Sequence, residues 1–245
     1  GGSTGLRVAK GVSMIPIQME LGGKDPAIVL PDANLKLAAA SIVKGAFSYS
    51  GQRCTAVKIV LIVEENDEIS SKLLPMILEG VEKLKVGGPY EDEVDITPVI
   101  DGKSAKWIKR LVDDAVGKGA RMELPKGGYK QQGNLIWPCV LTGITEHMEL
   151  MYEEQFGPVL PIASVKSREE ALRIANASPL GLQASIFTQN IDDAITISDE
   201  LVAGTVQING APARGPDHFP FQGFKESGLA SQGVRWSLEA MTKIK

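Results

Sequence analysis

The chain has little of what staples or metallates a small protein: two cysteines and two histidines among 245 residues. Cys54 and Cys139 stand in unlike contexts, so no disulfide framework is expected, and a reducing, cytoplasmic compartment fits. His147 and His218 are far apart and lack ligand spacing, which argues against a bound metal. No run of about 18 apolar residues suggests a membrane span, and no charged-then-apolar leader suggests secretion. The net charge of -4 gives no reason to expect nucleic acid or an anionic membrane as a partner. There is no G-x-G-x-x-G fingerprint, no long internal repeat and no low-complexity tract.

What is present is alternation. Ala27–Leu30, Ile59–Val63, Val159–Val165, Ala184–Thr188 and Thr205–Asn209 read as strands. Several are apolar on consecutive residues, as in strands covered on both faces. Between them, Leu35, Ala38, Ala39, Ile42 and Ala46 recur at helical spacing, with Asp32 placed as an N-cap. Further helices are expected over Ile69–Lys85, Ser104–Gly117, Ser167–Ala175 and Ile191–Glu200. Gly87-Gly88-Pro89-Tyr90 and Gly127-Gly128-Tyr129 mark loops. The expectation is an α/β fold with a mainly parallel sheet flanked by helices, as one large domain or two smaller ones.

Cys54 lies in Ser50-Gly51-Gln52-Arg53-Cys54-Thr55, and Glu20 lies 34 residues upstream in Met19-Glu20-Leu21-Gly22-Gly23-Lys24. A thiolate is a strong nucleophile where a thiol is not. Gly51 permits a sharp turn, and Arg53 sets a positive charge next to the sulfur. Most lone cysteines are small buried hydrophobes, and Cys139, in Ile136-Trp137-Pro138-Cys139-Val140-Leu141, looks like one. Glu20 follows an apolar stretch and precedes two glycines, so its carboxylate is expected at a strand end, where partial desolvation would suit it to general-base work. Read on residue type alone, a solvated glutamate at a turn is the favoured reading. Lys24 and Asp25 are taken as structural. Gly1-Gly2-Ser3-Thr4-Gly5 reads as a glycine-rich turn feeding a helix N-terminus, where backbone N–H groups favour phosphate.

Four motifs in order, Glu20-Leu21-Gly22-Gly23-Lys24, Gly51-Gln52-Arg53-Cys54, Glu153-Glu154-Gln155-Phe156-Gly157-Pro158 and Pro220 to Gly228, resemble the aldehyde dehydrogenase superfamily. Within it, Arg53-Cys54 and Ala211 to Phe221 are similar to the non-phosphorylating, NADP-dependent glyceraldehyde-3-phosphate dehydrogenases. The resemblance implies Cys54 as nucleophile and Glu20 as the base that activates water. It implies Ser3, Leu21, Glu154 and Phe156 on the cofactor, and Arg53 and Arg214 on the substrate phosphate. The cofactor implied is NADP, with NAD as the alternative, and the partner a phosphorylated small-molecule aldehyde. An asparagine amide from chain before Gly1 would share the oxyanion with the Cys54 backbone N–H.

By the same resemblance, residues 1–22 end a cofactor-binding domain, 23–225 form the catalytic domain, and 226–245 return toward the cofactor and oligomerisation region. Opening on Gly1 and stopping on Lys245, the stretch reads as part of a longer chain that would assemble as a homodimer or homotetramer. Two other readings stand beside this one. The first is an aldehyde dehydrogenase for an unphosphorylated aldehyde or semialdehyde; the second is an inactive fragment serving as a folding or assembly unit.

Overall fold

The computed structural model describes residues 1–243; residues 244 and 245, the end of the 226–245 segment, lie outside the described residues. In chain order the elements are α1 (Gly2–Gly11), β1 (Met19–Glu20), β2 (Asp25–Val29), α2 (Leu35–Phe47), β3 (Val57–Val63), α3 (Ser70–Glu82), α4 (Gly102–Gly117), β4 (Arg121–Leu124), β5 (Gln131–Gln132), β6 (Leu135–Ile136) and β7 (Cys139–Thr142). They continue with β8 (Val159–Val165), α5 (Arg168–Ala177), β9 (Leu180–Gly181), β10 (Gln183–Phe187), α6 (Ile191–Glu200), β11 (Thr205–Ile208), β12 (Phe224–Lys225), β13 (Gly228–Leu229) and α7 (Val234–Ala240).

A seven-stranded sheet runs in the order β11-β10-β2-β3-β8-β7-β4. All neighbours are parallel except β4, which pairs antiparallel with β7 at the edge. Every residue of β2 and β3 is buried, because helices cover both faces. Leu61 joins Ile28, Ile108, Leu111, Leu172 and Ile197 on the side of α4, α5 and α6. Its neighbour Ile62 joins Val29, Ile42, Leu73 and Ile77 under α2 and α3. Successive strand residues thus feed opposite cores, and continuous apolar runs are the result. The α/β expectation and its five strands are borne out.

Strands β4 and β7 were not anticipated. Cys139–Thr142 is four buried residues following a proline, too short for periodicity to mark. Arg121–Leu124 is a partly exposed edge. The cap of α2 also differs from expectation: Asn34, not Asp32, accepts the Leu37 N–H at 3.2 Å. Asp32 instead accepts from the Thr188 hydroxyl and the Gln189 N–H, each at 2.8 Å, and ties the end of β2 to that of β10. The glycines of 2–5 lie inside the first turn of α1 and do not form a turn ahead of it.

Buried polar side chains gather where the parallel strands begin: Lys24, Asp25, Lys58, Gln155 and Gln183. Cys54 precedes β3 at this same edge, and Asp25 stands opposite Val57 across the first pair of strands. Open α/β sheets usually present ligands at the carboxyl ends of their strands. Here the chemistry-bearing residues lie at the amino ends.

Candidate active site

A strained turn presents the thiol. Tyr49 and Ser50 adopt φ of 54° and 56°, and Gly51 follows at 69°. Left-handed backbone at non-glycine residues persists only where its surroundings hold it. Ser50 Oγ accepts the Thr97 N–H at 2.9 Å, and Gln52 Oε1 accepts the Ile100 N–H at 2.9 Å. At Gly51 a Cβ would stand 2.2 Å from the Gly157 carbonyl oxygen, so no other residue fits.

The structure brings Cys54, Glu20 and Arg214 together. The Cys54 thiol donates to Glu20 Oε1 across 3.8 Å. Glu20 is held in β1, whose partner is β13 through Met19↔Leu229 and Glu20↔Gly228. Its Oε2 accepts from Gln232 Nε2 at 3.1 Å and lies 3.9 Å from Arg214 Nη1. Burial pushes the Cys54 thiol above its ordinary range, and the Glu20 charge adds to that; Lys58 and the Thr55 N–H oppose it. The resting group is therefore a thiol beside a carboxylate.

The cation that acts on the sulfur is Lys58, not the adjacent arginine. Arg53 turns away: Nη2 donates to the Gly45 carbonyl at 3.3 Å, and the guanidinium lies 5.6 Å from the Tyr49 ring centre. Its Nε is buried and has no partner among the described residues.

Beneath the thiol is a layer of buried charge. Lys58 is 1% exposed and donates to the carbonyls of Arg53 at 2.8 Å and Cys54 at 2.7 Å. It also pairs with Glu154 Oε1 at 3.2 Å. Lys24 donates to the Glu153 carbonyl and to Gln155 Oε1, both at 2.8 Å, and burial, helped by Lys58, drives its pKa well down. Asp25 is fully buried; burial raises its carboxyl to about 7 against the opposing pull of Lys58. Its Oδ1 accepts the Gln183 N–H at 3.2 Å, while Oδ2 has no partner among the described residues. Sequence reasoning missed Lys58, although a lysine entering an apolar run four residues after Cys54 was a signal. Lys24 and Asp25, taken as structural, are both buried.

The residues expected on a cofactor divide into two groups. Glu154 Oε1 accepts the Gly23 N–H at 3.2 Å as well as Lys58. Glycine at 22 lets the Glu154 carboxylate pack against the backbone, since a Cβ there would stand only 2.2 Å from Oε2. Phe156 has φ of 46° and a half-exposed ring 6.0 Å from the Lys58 ammonium. Trp107 Nε1 donates to the Glu154 carbonyl at 3.1 Å and steadies this loop. Ser3 and Leu21 lie apart from that group. Ser3 is exposed in the first turn of α1, and the Leu21 side chain packs against Gly5. Gly2, Gly5 and Leu21 border a cavity of about 150 Å³ between α1 and the β1–β13 pair.

A cavity of about 850 Å³ lies between α2 and α3, lined by Val43, Phe47, Tyr49 and Met76, and Cys54 is not part of its lining. Cys139 is the inert cysteine expected: burial lifts it to about 12, and its Sγ donates to the Trp137 carbonyl. Among the described residues no three His, Cys, Asp or Glu side chains cluster as a metal site would require, and no helix is long and apolar enough to cross a membrane.

A half-buried thiol hydrogen-bonded to a carboxylate thus lies at the amino ends of the parallel strands of an α/β sheet. The chain belongs to the aldehyde dehydrogenase family, whose sequence pattern matches residues 1–245. It is 54% identical over 245 residues to an NADP-dependent glyceraldehyde-3-phosphate dehydrogenase of Pisum sativum, covering all of this chain and 48% of that protein. It is 42% identical over 241 residues to a lactaldehyde dehydrogenase of Methanococcus maripaludis, covering 98% of this chain and 50% of that one. Its structure resembles that of the NADP-dependent glyceraldehyde-3-phosphate dehydrogenase from Bacillus halodurans complexed with NADP. The TM-score is 0.95 at 53% identity, over 99% of this chain and 50% of that one. The chain spans about half the length of the curated relatives it matches.

Proposed function

We propose that the protein carrying this chain oxidises D-glyceraldehyde 3-phosphate to 3-phosphoglycerate with NADP, without incorporating inorganic phosphate. The observation that carries the reading is the line of thiol, carboxylate and guanidinium, with Cys54 Sγ 3.8 Å from one Glu20 oxygen and Arg214 3.9 Å from the other. Cys54 loses its proton to solvent and the thiolate attacks the aldehyde carbon, whose C=O electron pair moves onto oxygen to give a thiohemiacetal oxyanion met by the Cys54 backbone N–H. NADP, when bound, supplies the acceptor for the hydride that leaves as the thiohemiacetal becomes a thioester. Glu20 then takes a proton from water, which adds to the thioester carbonyl and releases the acid and the thiol.

The residues present suit a nicotinamide cofactor. Glu154, whose carboxylate is partly exposed and packs against Gly22, is assigned to the ribose hydroxyls, and the half-exposed Phe156 ring to the nicotinamide. Ser3, in the first turn of α1, is assigned to the cofactor's pyrophosphate, and Leu21 is assigned to the cofactor as well. NADP is preferred to NAD because the pea relative is named NADP-dependent and the Bacillus halodurans structure holds NADP. Residues 1–22 are assigned to the cofactor-binding domain, 23–225 to the catalytic domain and 226–245 to the returning segment. The β1–β13 pair, which joins the first to the last, supports that division. A homodimer or homotetramer in a reducing, cytoplasmic setting completes the proposal, and the two free cysteines agree with it.

The test is to trap the intermediate. In Glu20→Gln, with the triose phosphate and NADP supplied, mass spectrometry should find a 3-phosphoglyceryl thioester on the peptide containing Cys54. Accumulation on another residue, or none with turnover intact, contradicts the reading. One observation favours an unphosphorylated aldehyde instead: Arg53 points at Gly45 and Tyr49, which leaves Arg214 as the guanidinium beside the thiol and base.

A further inference from the structure

Lys58 is the one charged side chain in β3, whose other residues are Val, Ile and Leu. Burying an ammonium costs several kcal/mol unless each N–H finds a partner. Lys58 has three partners for three donors: the carbonyls of Arg53 and Cys54 at 2.8 and 2.7 Å, and Glu154 Oε1 at 3.2 Å. Its shortest contact is with the carbonyl of the residue that bears the thiol.

That contact fixes more than a carbonyl. In a trans peptide the C=O and the following N–H point in opposite directions. Drawing the Cys54 carbonyl down onto Lys58 therefore turns the Thr55 N–H up toward the sulfur, where it favours the thiolate. The same ammonium holds Glu154, so the nucleophile's peptide and the Glu154 carboxylate share one anchor.

We propose that Lys58 is the positioning residue of the nucleophile: it locks the Cys54–Thr55 peptide so that the Thr55 N–H faces the sulfur, and it ties that peptide to Glu154. The proposal rests on Cys54 being the nucleophile. The charged groups around the sulfur are Glu20 of β1, Asp25 of β2 and Lys58 itself. Those around the ammonium are Lys24, Asp25 and Glu154. Lys58 is the cation that opposes the two carboxylates nearest the thiol.

The experiment is the pH dependence of Cys54 alkylation by iodoacetamide in the full protein carrying this chain, without substrate or cofactor, with Cys54 and Cys139 peptides resolved by mass. Lys58→Met should raise the midpoint by about one unit, which slows alkylation near neutral pH about tenfold. Lys58→Arg should recover most of that rate. A folded Lys58→Met protein with the wild-type midpoint overturns the proposal, since a merely structural lysine would alter stability alone. Should Lys58→Met not fold, Glu154→Gln decides. It keeps the lysine, frees its charge for the sulfur and should lower the midpoint; an unchanged or raised midpoint overturns the proposal. Because alkylation needs neither aldehyde nor NADP, failure of the substrate assignment would appear only in turnover, and the two failures are distinguishable.

Discussion

The Cys54 sulfur and a Glu20 carboxylate oxygen lie 3.8 Å apart, with the thiol donating. At that distance the carboxylate resists formation of a second negative charge, and the thiol is raised by burial first and Glu20 second. The arrangement suits a base that serves after the sulfur has been acylated, when no thiolate stands beside it.

Glu20→Gln should therefore act in opposite directions on two steps. Alkylation of Cys54 near neutral pH should become faster as the neighbouring charge is removed, while steady-state turnover falls by roughly 10²–10⁴ with the loss of the base. Iodoacetamide kinetics and NADPH formation measured on one preparation check both. Slower alkylation together with normal turnover would remove Glu20 from the role.

Asp25 should make stability depend on pH. Its folded carboxyl titrates at about 7 against an ordinary 3.8, chiefly because it is buried. The folded state thus holds the proton more tightly than the unfolded chain. The contribution is full below the ordinary value and is lost as pH rises through about 7. Urea unfolding should show the stability of the wild type, relative to Asp25→Asn, falling by a few kcal/mol from pH 4 to pH 7.5. A difference that stays flat contradicts the assignment.

Gly51→Ala should be far costlier than Gly119→Ala. Both glycines have positive φ, 69° and 101°. An added Cβ meets the Gly157 carbonyl oxygen at 2.2 Å in the first and nothing within 4 Å in the second. Strain alone should cost about 1 kcal/mol at Gly119, and strain plus a backbone clash roughly 2–4 kcal/mol at Gly51. Thermal unfolding of the two variants gives the comparison.

Arg214 and Arg53 should separate in kinetics. Arg214 is half-exposed beside Glu20, whereas Arg53 is spent on Gly45 and the Tyr49 ring. Losing a charge-assisted bond to substrate phosphate costs about 1.5–3 kcal/mol, so Arg214→Gln should raise KM for the triose phosphate roughly 10–100-fold. Arg53→Gln should lower Tm more than it raises KM. Equal KM effects would show that the Arg53 guanidinium swings into the substrate site.

The sheet was legible because its central strands are buried on both faces and read as unbroken apolar runs; Ile59–Val63 is the plainest case. The strand itself begins earlier than that run, at Val57, and so includes Lys58. The chain in fact carries the ammonium inside by giving it three oxygens. Asp32 lost the cap of α2 to Asn34 because its carboxylate is engaged across the sheet by Thr188 and Gln189, a contact more than 150 residues distant in sequence that no local pattern encodes. Glu20 and Cys54 became a pair only through the family resemblance, for residue type leaves a glutamate beside two glycines indistinguishable from a solvated one. The direction of Arg53 is a tertiary matter, and adjacency in sequence misplaced its charge.

The most direct test of the central claim is steady-state NADP reduction by the full-length protein, comparing D-glyceraldehyde 3-phosphate, without added inorganic phosphate, against unphosphorylated aldehydes, with Cys54→Ser as control. The account predicts a strong preference in kcat/KM for the triose phosphate and its loss in the serine variant. Indifference to the phosphate group, or activity that survives Cys54→Ser, would contradict it.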